Sequence, residues 1–264
     1  MGYILRIGYR HIDAIKFQAL STLGSILTSY TSLSFKSWLC ESAPELLPVY
    51  EDELDSNFYP TQHENQDVKN YARTLFWIVK RFEEEHPDKL MKTYASHSQI
   101  SSSASPHARE DYTGTNLGGA WNAEQFVLRG AIILTLGGLE EYERGVLRIL
   151  LANRNKEWKA RSEIFVPRLA DFRFSSQQWQ KLEKERKTYT YPQRSKLFEK
   201  FDIKRPDTEW RARLDQTCRN RNRIAHGYEP VSVSLMTFLQ LHYDAFTAMH
   251  DISKKVLDAH NIDI

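Results

Sequence analysis

Residues 218–228 form a dense group of side chains that could act on a phosphate ester. The run contains three arginines, two asparagines, one histidine and one tyrosine, within about three turns of a predicted helix. Arginine is a permanent, planar cation that can hold phosphate oxygens in a bidentate grip, and histidine can exchange a proton near neutral pH. Cleaving RNA without a metal ion needs an acid, a base and a cation on the phosphate, and these residue types can supply all three.

Four residues of this run have predicted roles in such a reaction. His226 is the candidate acid or base, and Arg221 and Arg219 are the candidate phosphate-binding cations. Asn222 lies four residues before His226, on the same helix face, where it could orient the imidazole ring. On an ideal helix Arg221 and His226 are about 140° apart, whereas Arg219 and His226 nearly eclipse. Both arginines therefore remain candidates.

The same run is also compatible with a helix end that has no catalytic role. Arginines near the C-terminus of a helix complement its dipole, and a histidine there can cap the last carbonyls. Cys218 is interpreted as a buried structural thiol rather than a nucleophile. No cofactor or metal site is predicted, because the other histidines lack metal-ligand spacing and no glycine-rich phosphate loop occurs.

The pattern Arg221-Asn222-x-x-x-His226 resembles the Arg-x(4–6)-His signature of HEPN-domain ribonucleases. This form of the signature makes Arg221 the first candidate for the phosphate-binding cation and Arg219 the second. The resemblance implies a compact helical bundle, here residues 119–264. It implies that this bundle is a metal-independent endoribonuclease that acts as a toxin or antiviral effector. It also implies a homodimer that brings two motifs together and leaves a 2′,3′-cyclic phosphate on the RNA.

Two further residues resemble features of the same family. Tyr228 completes an Arg-x(4)-His-x-Tyr pattern that a partner nucleotidyltransferase, acting as antitoxin, modifies in some shorter HEPN toxins. Packing or substrate stacking is the other role considered for Tyr228. Glu140 lies in a run similar to the acidic patch that many of these domains place beside the motif, and it is predicted to support Arg221 or His226. A solvated glutamate with neighbouring arginines or lysines is the alternative for Glu140.

Two other functions would use the same residues. A HEPN-like bundle without catalysis would bind a nucleotide or RNA, or serve as a scaffold. A regulatory nucleic-acid-binding protein would use the arginines only for phosphate contacts. Its binding would be sensitive to salt and would outlast the loss of His226.

The elements that must position these residues are predicted to be helices, so the expected fold is all-α. Apolar residues at steps of three and four predict helices over the stretches Ile12–Tyr30, Val68–Phe82, Trp121–Leu151 and Ser232–His260. A helix starting at Pro206-Asp207-Thr208 is predicted to carry the motif and to stop at Gly227. Three prolines predict little regular structure between Ser42 and Pro60.

The predicted organisation has three parts. Residues 1–95 form an N-terminal helical accessory region, residues 96–118 a Ser- and Gly-rich loop or linker, and residues 119–264 the HEPN-like bundle. Glycine is costly inside a helix. The four glycines in the long first helix of the HEPN-like bundle therefore predict either a bend or the close approach of another helix. They are Gly130, Gly137, Gly138 and Gly145.

Composition limits the partners and the compartment. The net charge of the 264 residues is only +2, so affinity for an RNA substrate must come from local clusters of cations. Two cysteines fit a reducing compartment, and no apolar run approaches the roughly 20 residues that span a bilayer. The sequence predicts a cytoplasmic protein that binds no membrane.

Overall fold

The computed structural model describes residues 2–29, 35–55, 68–85, 116–154, 177–185, 190–226 and 233–264. Within these ranges 88% of the residues are helical and no strand occurs, so the predicted all-α fold is confirmed. In the same part of the chain, no helix combines the length and the hydropathy that a membrane span requires.

The helices are numbered in chain order over the described residues. They are α1 (Tyr3–Ser29), α2 (Phe35–Ser42), α3 (Leu47–Asp55), α4 (Val68–Glu85), α5 (Asn116–Arg154), α6 (Gln177–Lys184), α7 (Tyr191–Glu199), α8 (Glu209–His226) and α9 (Leu235–His260). The four periodic stretches of the sequence correspond to α1, α4, α5 and α9. The predicted linker, residues 96–118, lies outside the described residues up to residue 115, and α5 begins at Asn116.

The prediction of little regular structure between Ser42 and Pro60 is wrong for the described part of that segment. A 3₁₀ turn, Pro44–Leu46, leads directly into α3. Pro44 and Pro48 stand in the first turn of their helices, where the missing N–H has no intrahelical partner to lose. The prolines therefore start helices here instead of preventing them.

The chain divides into two compact units, and the division falls within α1, α5, α8 and α9. The first unit contains Met1–Asp13, Thr135–Cys218 and Asp244–Ile264. In this unit the Tyr142 hydroxyl of α5 donates a 2.9 Å hydrogen bond to the Met249 carbonyl of α9. The Tyr9 and Phe246 rings stack with centroids 4.4 Å apart and join α1 to α9. Its buried apolar residues include Ile12, Val146, Ile149, Phe198, Leu214, Ile252 and Val256.

The second unit contains Ala14–Leu134 and Arg219–Tyr243. Here the Gln125 side chain of α5 exchanges two 2.8 Å hydrogen bonds with the backbone of Val233, just before α9. The Trp38 indole donates to the Glu124 carboxylate at 3.3 Å and joins α2 to α5. The buried apolar residues of this unit include Leu20, Leu23, Leu39, Leu46, Leu75, Phe82, Leu128, Ile132 and Phe238.

The predicted close approach of another helix is confirmed at Gly138. A Cβ atom at this position would lie 2.8 Å from His11 Cδ2 and 3.3 Å from Ile12 Cγ1, both on α1, whereas a Cβ at Gly137 meets nothing within 4 Å. Gly137→Ala is therefore expected to raise the free energy of unfolding by about 0.5–1 kcal/mol, because alanine is the better helix former.

Gly138→Ala is expected to lower the free energy of unfolding by about 1 kcal/mol, because the new methyl group must displace α1 side chains. Urea unfolding of the two variants measures the difference. Equal stabilisation by both substitutions would contradict the close approach at Gly138.

Candidate functional site

The motif helix, α8, begins where the sequence predicts. Its first residue is Glu209, and the carbonyl of Thr208 accepts the first hydrogen bond of the helix at 3.1 Å. The Arg211 guanidinium donates to the carbonyls of Arg205 (3.1 Å) and Pro206 (3.3 Å). These bonds fix the backbone that enters α8, so the start of the motif helix is held by its own first turn.

A buried ion pair fixes the first half of α8 against α9. Arg213 Nε and Nη2 donate to the two carboxylate oxygens of Asp244 at 2.9 and 2.7 Å. The two side chains are only 5% and 2% exposed. A bidentate pair sets orientation as well as distance, and it determines which face of α8 turns towards the core. Leu214, the next residue, is also fully buried.

The motif residues occupy the last turns of α8. Arg219 is exposed, Arg221 is half-buried and Ile224 is buried. The backbone of Asn222 and His226 is helical. Their side chains, and the whole of Tyr228, lie outside the described residues, so their predicted roles stay predictions.

The two candidate cations differ in their surroundings. Among the described residues, no carboxylate pairs with Arg219, whose side chain faces solvent. Arg221 already interacts with another group of the chain. Of the two arginines, Arg219 is therefore the more accessible.

Glu140 lies on α5 and is half-buried. Its carboxylate forms ion pairs with Arg144 of the same helix at 2.8 Å and with Arg194 of α7 at 3.4 Å. The alternative interpretation predicted such arginine neighbours but also a solvated side chain, whereas the Glu140 side chain is only 12% exposed. Support of Arg221 or His226 by Glu140 stays a prediction.

Sequence reasoning missed a buried charge cluster in the first unit. Glu143 is completely buried and accepts hydrogen bonds from Arg194 Nε of α7 and from Arg205 Nη2, just before α8. The Arg205 guanidinium also stacks over the Tyr191 ring, 4.0 Å from its centroid. A local signal existed, since Glu143 falls on the apolar face of α5 between Leu139 and Val146. An acidic residue in that stripe requires a buried cation.

Cys218 lies in α8 immediately before the arginines of the motif. Burial raises the pKa of its thiol to about 12, and the nearby negative charge of Glu143 adds to the shift. The raised pKa disfavours the thiolate, which is the form that reacts. This favours the structural role that the sequence predicted for Cys218 over a nucleophilic one.

The thiol environment predicts selective labelling. We expect the exposed Cys40 to react readily with Ellman's reagent in the native protein, and the partly buried Cys218 to react much more slowly until the chain unfolds. In Cys40→Ser the fast phase should disappear. Two native thiols reacting at equal rates would contradict the shielded environment of Cys218.

Comparison of the chain with protein-family models, curated proteins and solved structures finds no match. The resemblance to HEPN ribonucleases therefore rests on the motif residues and their place in α8. Among the described residues no cluster of three or more His, Cys, Asp or Glu side chains is arranged to hold a metal ion.

Proposed function

We propose that this protein is a metal-independent endoribonuclease of the HEPN type that acts as a toxin or antiviral effector. The observation that carries the proposal is the continuous helix α8, which carries Arg219, Arg221 and His226 in its last turns. The exposure of Arg219 on that helix supports the proposal, because a phosphate-binding cation must be accessible to the substrate.

The proposed reaction is attack of a ribose 2′-oxygen on the adjacent phosphorus. The O2′–P bond forms and the P–O5′ bond breaks, which yields a 2′,3′-cyclic phosphate and a 5′-hydroxyl. A base takes the 2′-hydroxyl proton and an acid protonates the leaving oxygen. Each motif holds one histidine, so a homodimer would supply His226 twice, once for each proton transfer.

Helix geometry suggests how the motif would hold the phosphate. Arg219 and His226 lie on the same face of α8, about 10.5 Å apart along its axis. A phosphate between them would be held by the long guanidinium side chain on one side and would meet the imidazole on the other. Asn222, one turn before His226, would orient the ring.

The test is cleavage in the absence of metal ions. Purified protein is incubated with total RNA and tRNA in EDTA, and the product ends are examined for cyclic phosphate. Cleavage by the wild type and none by His226→Ala supports the nuclease. RNA binding without cleavage by either protein would overturn the nuclease and favour a non-catalytic HEPN-like binding module.

Separate substitutions distinguish the two candidate cations. We expect Arg219→Gln to lower the cleavage rate by about 10²-fold with unchanged stability, because Arg219 is exposed. Arg221→Gln should lower both the rate and the free energy of unfolding, since Arg221 is half-buried and already interacts within the chain. Cleavage rates and urea unfolding curves of both variants measure this difference. Two variants with wild-type rates would exclude these arginines from the reaction.

A further inference from the structure

An open aromatic cleft lies between α1 and α4 within the second unit. It has a volume of about 270 Å³ and is lined by Phe17, Ser21, Arg73, Phe76 and Trp77. We refer to it as the Trp77 cleft. None of its residues belongs to the motif of α8, so the proposed reaction leaves the cleft without a role.

Two of the rings in the Trp77 cleft remain open to solvent. Phe17 is 56% exposed and Trp77 is 42% exposed, although both are large apolar side chains. Phe76 packs edge-on against each, with ring centroids 5.6 Å from Phe17 and 6.2 Å from Trp77. The contacts with Phe76 hold the two exposed rings in place, so the cleft is a preformed aromatic surface.

Two cations border the same cleft. Arg73, Trp77 and Lys80 share one face of α4, because they are four and three residues apart. Lys80 Nζ lies 4.9 Å from the centroid of the Trp77 ring and 3.7 Å from a Glu84 oxygen. Arg73 is exposed, and no carboxylate of the described residues pairs with it.

We propose that the Trp77 cleft binds an unpaired nucleobase of single-stranded RNA, with Arg73 and Lys80 on the flanking phosphates. Exposed aromatic rings beside cations are the combination that binds single strands, because every base has a face that can stack and every linkage carries a negative charge. Bases of a duplex are already stacked on one another and cannot enter. The inference rests on RNA being the substrate of the proposed nuclease, and it assigns the single-stranded form.

The test is fluorescence anisotropy of the full-length protein with a short, labelled 2′-O-methyl RNA single strand. The methylated 2′-oxygen cannot attack phosphorus, so binding is measured without cleavage. Trp77→Ala is expected to raise the Kd for the single strand about 5- to 100-fold and to leave binding of the matching duplex unchanged. Trp77→Phe should keep most of the affinity but lose the part of the RNA-induced quenching of tryptophan fluorescence that comes from Trp77.

Arg73→Gln tests the phosphate contact. Losing one phosphate contact to a single strand should lower the slope of log Kd against log salt by about 0.7. Phe126→Ala is the matched control, because Phe126 is an aromatic residue of the same unit that is 81% exposed and does not line the cleft. It should change neither the affinity nor the salt dependence.

Several results would overturn the assignment of the cleft. One is a single-strand affinity of Trp77→Ala equal to that of the wild type. A change in oligomeric state with unchanged RNA affinity would instead make the cleft a contact between copies. If Trp77→Ala does not fold by circular dichroism, the quenching of Trp77→Phe and the salt slope of Arg73→Gln decide, and wild-type values for both would overturn the inference.

The cleft and the nuclease can fail separately. Metal-free cleavage that depends on His226, together with RNA binding that is insensitive to Trp77→Ala, would overturn the role proposed for the Trp77 cleft but support the nuclease activity. Binding that depends on Trp77 without any cleavage would support the cleft and overturn the nuclease.

Discussion

Replacing His226 with alanine is expected to lower the rate of RNA cleavage by about 10²–10⁴-fold, the usual contribution of a general acid or base. His226 is the last residue of α8, where a histidine interacts favourably with the helix dipole. The free energy of unfolding should therefore change by less than about 1 kcal/mol. Single-turnover cleavage rates and urea unfolding of the same preparation measure both quantities.

His260 provides a matched control for this substitution. It is the last residue of α9, as His226 is of α8, and its Nε2 lies 2.8 Å from the carbonyl of Phe201. His260→Ala should lower the free energy of unfolding by about 0.5–1.5 kcal/mol and leave cleavage unchanged. Equal effects of the two substitutions on cleavage, or none of His226→Ala, would make His226 a helix cap rather than a catalytic group.

The sequence predicted the motif helix well because its signals are local. Pro206-Asp207-Thr208 marks the start of α8, and Leu214 keeps the helical spacing of its buried face. The close approach at Gly138 was one of two predictions, the other being a bend. It too rests on a local signal, because glycine is costly in a helix unless the structure requires it. Which helix approaches Gly138 depends on the tertiary fold, and no local pattern identifies α1 as that partner.

The sequence did not predict the contacts that hold α8 in place, because their partners are far apart along the chain. Arg213 and Asp244 are 31 residues apart, and Glu143 is 51 residues from Arg194 and 62 from Arg205. Periodicity indicates that a position is buried but not which residue faces it. The exposed aromatic cleft was missed for a related reason, since Phe17 and Trp77 belong to helices far apart along the chain and periodicity does not show that they line one cleft.

Glu143→Ala is expected to cost about 3–5 kcal/mol of the free energy of unfolding, the usual effect of removing one partner from a buried ion pair. Glu143 is completely buried and forms ion pairs with two guanidinium groups, those of Arg194 and Arg205, which are themselves buried. The alanine variant leaves both cations in the core without this carboxylate. Urea unfolding monitored by circular dichroism measures the loss, which is a large part of the roughly 5–15 kcal/mol that stabilises a typical domain.

Two further variants serve as controls. Glu141→Ala removes an exposed carboxylate, and Glu143→Gln removes the buried charge while keeping the side-chain size. Glu141 is exposed on the same helix, so Glu141→Ala should change the free energy of unfolding by no more than about 0.5 kcal/mol. Glu143→Gln keeps the size and one hydrogen-bond acceptor but removes the charge, so most of the loss should remain. If Glu143→Ala costs less than about 1 kcal/mol, water or another carboxylate must reach Arg205, and the core of the first unit is not closed around Glu143.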